Sequence, residues 1–263
     1  FGVGLHCVYK GKLVWELWNV LSQLSATILI AWFLMRYKPS VQLIASFGLL
    51  LLTEILYRTI AVEGFDQPFV KGHNFGSWMD IILMGKINSG GWVTINFLPT
   101  AAHTIWGVVA GQLLQSETSG STKIKKLVIA GAAILAAGYL LDWTSVTPII
   151  KRISTSSFVL ASGGWTLLAL AFSYWLIDIK KIDNWIFPFV IVGMNPIFIY
   201  LFSQTLGHQW INETTAIFTH GFLDWFGAGL FLKMLVNSLT VLTLEWLLCY
   251  FLYRKKIFFK IST

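Results

Sequence analysis

A polar cluster between Gly72 and Asp80 holds the side chains best suited to chemistry in this sequence. We predict His73 and Asp80 as catalytic residues, because an imidazole and a carboxylate can act as a base and the group that orients it. Asn74 and Trp78 lie between them and are predicted to contact a substrate. The same segment is also typical of a glycine-rich loop with Trp78 at a membrane interface. By residue type the two interpretations are evenly balanced.

The second candidate for chemistry is Asn195, which precedes Pro196 inside an apolar stretch. Proline takes a hydrogen bond out of a helix, so a carbonyl freed in mid-membrane needs another partner. Such breaks often line cavities. We predict that the Asn195 amide donates to a carbonyl oxygen on which charge develops during a reaction. A structural kink is the alternative, with equal weight.

Several other ionisable side chains fall in or near apolar stretches. Lys151 and Arg152 lie in a segment expected to face outward, where they contact a ligand or snorkel. Glu54 and Arg58, four residues apart on one helix face, favour a structural ion pair over a functional one. His103 is favoured as a helix-packing residue over a proton carrier. The predicted substrate-binding set is Asn74, Trp78, Lys151, Arg152, Ser203 and Gln204.

The elements that position these residues are membrane helices. Of the 263 residues, 56% are hydrophobic and 12% are charged, against roughly 25% charged in soluble domains. This composition argues against a soluble enzyme, a disordered region and a nucleic-acid-binding domain. No metal-binding or nucleotide-binding motif occurs. Two cysteines, Cys7 and Cys249, do not make a disulfide framework.

Seven apolar stretches are each about long enough to cross a bilayer as a helix, at ~20 residues per span. They cover 15–35, 41–62, 93–115, 127–145, 157–178, 186–206 and 227–253. None alternates with a period of two. We therefore predict an all-α fold, a polytopic membrane helical bundle of about seven transmembrane helices that forms a single domain over residues 1–263.

The positions of the cations predict the orientation, because cytoplasmic loops are rich in Lys and Arg. Eleven of the 19 cations fall on one side, namely Arg36, Lys38, Lys123, Lys125, Lys126, Lys180, Lys181, Arg254, Lys255, Lys256 and Lys260. Six fall on the other, namely Lys10, Lys12, Lys71, Lys86, Lys151 and Arg152. The C-terminus is therefore expected in the cytoplasm. Topology explains the net charge of +7 without a nucleic-acid partner.

Four stretches, in order, resemble the membrane domain of heparan-α-glucosaminide N-acetyltransferase and its bacterial relatives. They are 73–80, 148–158, 193–200 and 252–261. The resemblance implies an integral protein of the bacterial inner membrane that moves an acetyl group from cytoplasmic acetyl-CoA to a terminal glucosamine outside. Acetyl-CoA is then the acyl donor, and Lys123, Lys125 and Lys126 are predicted to hold its phosphates. The expected partners are the bilayer and an amino-sugar or glycan substrate, with a homodimer left open.

The sequence departs from the family pattern at four places. The Asn-His-x-Pro-Trp segment with the family's proposed catalytic histidine is missing, and 93–96 replaces the usual Asp-Pro-Glu-Gly. Ile150 replaces an asparagine, and Ser154 replaces a tryptophan. Because the chain opens with Phe1, we expect an N-terminally truncated fragment that is inactive alone. The alternatives are a permease for an amino sugar or related solute, which would use the broken helix as its binding site, and a structural membrane protein.

Overall fold

The computed structural model describes residues 1–259, the side chain of His208 excepted, and these residues form helices and no strand. The helices are α1 Gly2–Lys10, α2 Val20–Leu34, α3 Pro39–Thr59, α4 Phe75–Met84, α5 Phe97–Gln115, α6 Gly120–Trp143, α7 Ser156–Tyr174, α8 Phe187–Gly193, α9 Pro196–Phe202, α10 Asn212–Asp224 and α11 Leu230–Arg254. Two π-helical segments, Trp175–Ile179 and Ser203–Ile211, extend α7 and α9. The predicted all-α fold is confirmed. Lys260 and Ile261, from the last family-like stretch, lie outside the described residues.

Within residues 1–259, four helices are long and apolar enough to cross a bilayer, which indicates an integral membrane protein. They are α3, α6, α7 with its extension to Ile179, and α11. A fifth span results if Phe187–Gly193 and Pro196–Gly207, bent by 79°, count as one. The count of seven is therefore not reached. Helix α2 has only 15 residues, and α5 carries polar residues such as His103 and Gln112, which lower its hydropathy.

Two segments that lie between the predicted apolar stretches are helical. The polar tract 116–126 is mostly the start of α6, where the Ser119 hydroxyl accepts from the Thr122 amide at 3.4 Å and caps the helix. Residues 207–226 form the end of a π-helix and α10. Thr215 and Thr219 bond their hydroxyls to carbonyls four residues earlier. These polar side chains are thus satisfied inside a helix.

The chain divides into two compact units. The first contains Phe1–His6 and Val14–Lys181, and the second contains Cys7–Leu13 and the chain from Ile182 onward. A single domain over 1–263 stays a prediction.

In the first unit, α5 lies among α2, α3, α6 and α7. Gln42 near the start of α3 donates to Gln112 near the end of α5, at 3.4 Å. At the opposite end of α3, Arg58 donates to Thr147, just beyond α6, at 3.1 Å. Helix α5 therefore runs antiparallel to α3 and α6.

Helices α6 and α7 share the most extensive contact in the first unit, and glycines allow their close approach. A Cβ at Gly138 would lie 2.6 Å from the backbone nitrogen of Ala161 and 2.8 Å from the carbonyl oxygen of Ser157. A Cβ at Gly164 would lie 2.7 Å from the carbonyl oxygen of Gly131. Small residues of this kind let membrane helices pack backbone against backbone. In the second unit, α11 packs against α8, α10 and Ser203–Ile211.

Candidate functional site

Six buried side chains form a cluster at the end of the first unit where α3 ends and α4 begins. We call it the outer polar cluster, after the side of the membrane that the cation asymmetry predicts for it. They are Trp18, Tyr57, Asn74, Asp80, Thr94 and Asn96. Asn74 is the N-cap of α4: its Oδ1 accepts from the Ser77 amide at 3.1 Å, and its Nδ2 donates to the Val70 carbonyl at 2.7 Å. The predicted substrate-binding residue Asn74 thus holds the start of a helix.

Asp80 lies at the centre of the outer polar cluster and is fully buried. Its Oδ2 accepts from the Trp18 indole at 2.7 Å, and its Oδ1 accepts from the Thr94 amide at 2.9 Å. Burial raises the pKa of Asp80 above its usual value, while the hydrogen bonds from Thr94 and Trp18 act in the opposite direction. A buried carboxyl group held by two donors suits either a structural anchor or a proton-exchanging group.

His73 and Asp80, predicted as a base and its orienter, have different partners. His73 is exposed, and its Nδ1 lies 3.0 Å from the carbonyl oxygen of Gly64. Among the described residues, no hydrogen bond joins His73 to Asp80. Trp78, predicted to contact a substrate, packs on Phe75 with ring centroids 5.9 Å apart.

Two polar atoms of the outer polar cluster are buried without a hydrogen-bonding partner in the described part of the chain. They are the Tyr57 hydroxyl and Oδ1 of Asn96. Nδ2 of Asn96 donates to the Arg152 carbonyl at 2.7 Å, so the predicted residue Arg152 reaches this cluster through its backbone. Sequence reasoning missed Tyr57 and Asn96, although both are polar residues at the edges of apolar stretches.

The predicted cationic pair, Lys151 and Arg152, is exposed beside the outer polar cluster. The Lys151 ammonium lies 5.8 Å from the ring centroid of Trp92. Six predicted residues of the first unit therefore lie near the end of α3, along α4 and just beyond the end of α6. They are His73, Asn74, Trp78, Asp80, Lys151 and Arg152. A further pair, Glu54 and Arg58, forms the predicted ion pair at 3.0 Å.

A cavity of about 620 Å³ opens between α3, α5 and α6 at the opposite end of the first unit. Its interior is apolar, with Phe47, Trp106 and Leu127 among its lining residues. Its polar lining consists of Gln112, Ser116, Thr118 and Lys126. We call this space the apolar cavity.

The three lysines predicted to bind coenzyme A are not equivalent. Lys126 lines the apolar cavity. Lys125, the residue before it, is exposed. Lys123 is buried, and its ammonium donates to the Leu114 carbonyl at 2.7 Å. Because this carbonyl belongs to the last turn of α5, Lys123 caps that helix.

His103, a residue of α5, contacts α7 with its side chain, in agreement with the packing role predicted for it. Its Nε2 lies 2.8 Å from the Val159 carbonyl oxygen and 3.2 Å from the Ser162 hydroxyl. Its ring meets Trp106 edge to face at 5.7 Å.

Asn195, in the second unit, is fully buried at the break between α8 and α9. Its Nδ2 donates to the Ile257 carbonyl at 3.1 Å, and its Oδ1 accepts from the Phe259 amide at 2.8 Å. The side chain therefore clamps the segment that follows α11. The predicted role at a reacting carbonyl would compete with these two contacts.

The second unit also contains a cavity of about 340 Å³ whose lining is part polar and part apolar. The predicted residues Ser203 and Gln204 line it, together with Gly207, Asn212, Ser238, Val241, Leu242 and Glu245. Gln204 is held in place by Tyr9, whose hydroxyl donates to its Oε1 at 2.7 Å. Sequence reasoning missed Glu245, whose signal is a carboxylate within the apolar run of α11. We call this space the Glu245 cavity.

No family model matches the chain, and no curated protein matches it at a significant level.

Proposed function

We propose that this chain belongs to a membrane acetyltransferase similar to heparan-α-glucosaminide N-acetyltransferase. In this proposal it lies in a bacterial inner membrane with its C-terminus in the cytoplasm. Acetyl-CoA is the donor on the cytoplasmic side, and an amino sugar is the acceptor on the outer side. The observation that supports the proposal is the apolar cavity, with Lys126 in its lining.

The residues around the apolar cavity suit a coenzyme A thioester. The molecule combines a long flexible arm with phosphate groups, and the cavity combines an apolar interior with Lys126 and the hydroxyls of Ser116 and Thr118. A lysine ammonium makes charge-assisted hydrogen bonds with phosphate. Exposed Lys125 adds a second cation nearby. These features belong to the end of α6 that the cation count assigns to the cytoplasm.

The acceptor is proposed to reach the outer polar cluster. His73 and Lys151 are exposed there, while Asp80 is buried beneath them. Asn96 Oδ1 and the Tyr57 hydroxyl have no hydrogen-bonding partner among the described residues. If the cluster opens locally, the hydroxyl groups of a sugar would form hydrogen bonds with both.

Binding of coenzyme A to the purified chain in detergent tests the donor site. Lys126→Ala is expected to weaken binding about 3- to 10-fold, since one charge-assisted contact is lost at a partly exposed position. Ala130→Phe, which places a ring in the apolar cavity, is expected to weaken it further. Lys12→Ala, at an exposed lysine far along the chain, is the control. Binding that is insensitive to both cavity variants would contradict this donor site.

A permease for an amino sugar is the second candidate, and the broken helix favours it. Helices α8 and α9 meet at 79°, and discontinuous helices are typical of transporter binding sites. Proteoliposomes loaded with glucosamine and supplied with labelled acetyl-CoA separate the two. Labelled N-acetylglucosamine supports the transferase. Efflux of glucosamine with intact acetyl-CoA supports the permease.

A further inference from the structure

The carboxylate of Glu245 has an unusual environment for a charged group. Glu245 lies in α11, one of the candidate spans, about 14 Å along the helix axis from its last residue. Its Oε1 is buried and has no hydrogen-bonding partner among the described residues. A carboxylate in hydrocarbon is costly unless it is paired, so such residues mark sites of function.

No described cation of α11 lies near Glu245. Lys233 is twelve residues earlier and is paired with Asp224, and Arg254 is nine residues later, beside Tyr250. The helices α8, α9 and α10, in the same unit, contain no Lys or Arg. Among the described residues, none of the ion pairs of the structure includes Glu245, so no salt bridge neutralises this carboxylate.

The backbone around Glu245 makes room for the carboxylate. A Cβ at Gly207 would collide with its Oε1, so the present position of the carboxylate depends on glycine at this residue. Gly207 belongs to the π-helix Ser203–Ile211, and π-helical segments are often found at functional sites. The result is the Glu245 cavity, bounded by Ser203–Ile211 and α11.

The size and lining of this cavity indicate the class of its ligand. About 340 Å³ is roughly tenfold the ~30 Å³ share of one water molecule, so an organic molecule fits better than a bare ion. Two hydroxyls and two amides line it, from Ser203, Ser238, Gln204 and Asn212. Such groups both donate and accept hydrogen bonds, as the hydroxyls of a ligand do.

We infer that the Glu245 cavity is a binding site for a small protonated amine that also carries hydroxyl groups. The Glu245 carboxylate pairs with the ammonium, and the hydroxyl and amide lining binds the hydroxyls. The inference does not depend on the acetyl transfer proposed above, because binding is measured without acetyl-CoA.

Calorimetry and thermal unfolding in detergent test this site with three probes: glucosamine, glucose and methylammonium. Glucosamine is expected to bind and to raise the thermal midpoint. Glucose lacks the charge and methylammonium lacks the hydroxyls, so each is expected to bind about tenfold or more weakly. Equal binding of glucose and glucosamine would overturn the inference, as would no binding of glucosamine up to about 10 mM. The inference would also be overturned if NaCl raises the thermal midpoint and prevents glucosamine from binding.

Glu245→Gln keeps the shape of the side chain and removes its charge. It is expected to weaken glucosamine binding about 10- to 100-fold, with a thermal midpoint of the ligand-free protein that is unchanged or higher. Glu213→Gln, at an exposed carboxylate in α10, is the matched control and should bind like the wild type. Gly207→Ala should weaken binding by displacing the carboxylate. Wild-type affinity in a folded Glu245→Gln variant would refute the site.

Discussion

At the scale of single residues, three buried polar side chains form their hydrogen bonds with backbone groups. Asn74 caps α4, Lys123 caps α5, and Asn195 clamps the segment after α11. Each is a residue type that chemistry also uses, and only the position of its partners separates the two roles. Buried side chains with satisfied polar atoms stabilise the fold. Exposed His73 and Lys151 retain freedom to meet a ligand.

Asn195→Ala is expected to destabilise the second unit by about 1–3 kcal/mol, because the Phe259 amide and the Ile257 carbonyl lose their partners. The thermal midpoint in detergent and hydrogen exchange at 257–259 measure the effect. Asn184→Ala, at an exposed asparagine, is the control. A normal midpoint with normal exchange protection would show that the clamp contributes nothing.

Glu16 is expected to make stability depend on acid pH. Burial raises the pKa of Glu16. Hydrogen bonds and charge from Lys86 at 2.8 Å and from His6 at 2.7 Å lower the pKa by more than burial raises it, so the pKa in the folded state is depressed. The stabilisation is present above the unfolded pKa, about 4.3, and is lost as the pH falls through the folded pKa.

Glu16→Gln should therefore cost about 1–3 kcal/mol at neutral pH, and the difference from the wild type should shrink below about pH 4. Thermal midpoints across that range test this, with Glu63→Gln, at an exposed glutamate, as the control. A difference that stays constant with pH would argue against the ionic contribution.

At the scale of elements, the approach of α6 to α7 depends on glycine. Gly138→Ala is expected to lower stability by about 1–3 kcal/mol, because the new Cβ meets backbone atoms of Ser157 and Ala161 that cannot rotate away. Gly107→Ala on α5 has open space around it and should be neutral or stabilising through helix propensity. Thermal midpoints of the two variants are compared. Similar values for both would mean that the helix pair relaxes without cost.

The sequence allowed the helical class and most apolar segments to be predicted, because long apolar runs have few alternatives in a membrane. The helix at 212–224 was missed, since its Thr, His and Asn residues resemble a loop by type. At the site, Glu54 and Arg58 were placed correctly because four-residue spacing fixes their contact. Asp80 and Trp18 lie 62 residues apart, and no local pattern predicts that pairing.

At the scale of the whole molecule, the number of crossings depends on α5. Its composition leaves it outside the four spans, yet its 19 residues reach about 28 Å, close to the ~30 Å of a hydrocarbon core. It lies among four other helices, so its polar side chains, such as His103, face protein partners. A helix shielded from lipid needs less hydropathy to cross.

We therefore expect α5 to cross the membrane, with the start of α3 and the end of α5 in the cytoplasm. Single cysteines at Lys38, Ser89 and Glu117, all exposed, are placed in a background with Cys7 and Cys249 replaced. An impermeant maleimide applied to intact cells should label only Ser89→Cys, and the other two should react only in opened membranes. If Glu117→Cys reacts together with Ser89→Cys, α5 does not cross. If Lys38→Cys and Glu117→Cys react in intact cells while Ser89→Cys does not, the cation asymmetry gave the wrong orientation. The Gln42–Gln112 contact places the start of α3 and the end of α5 on the same side of the membrane. It therefore favours labelling of Ser89→Cys alone in intact cells.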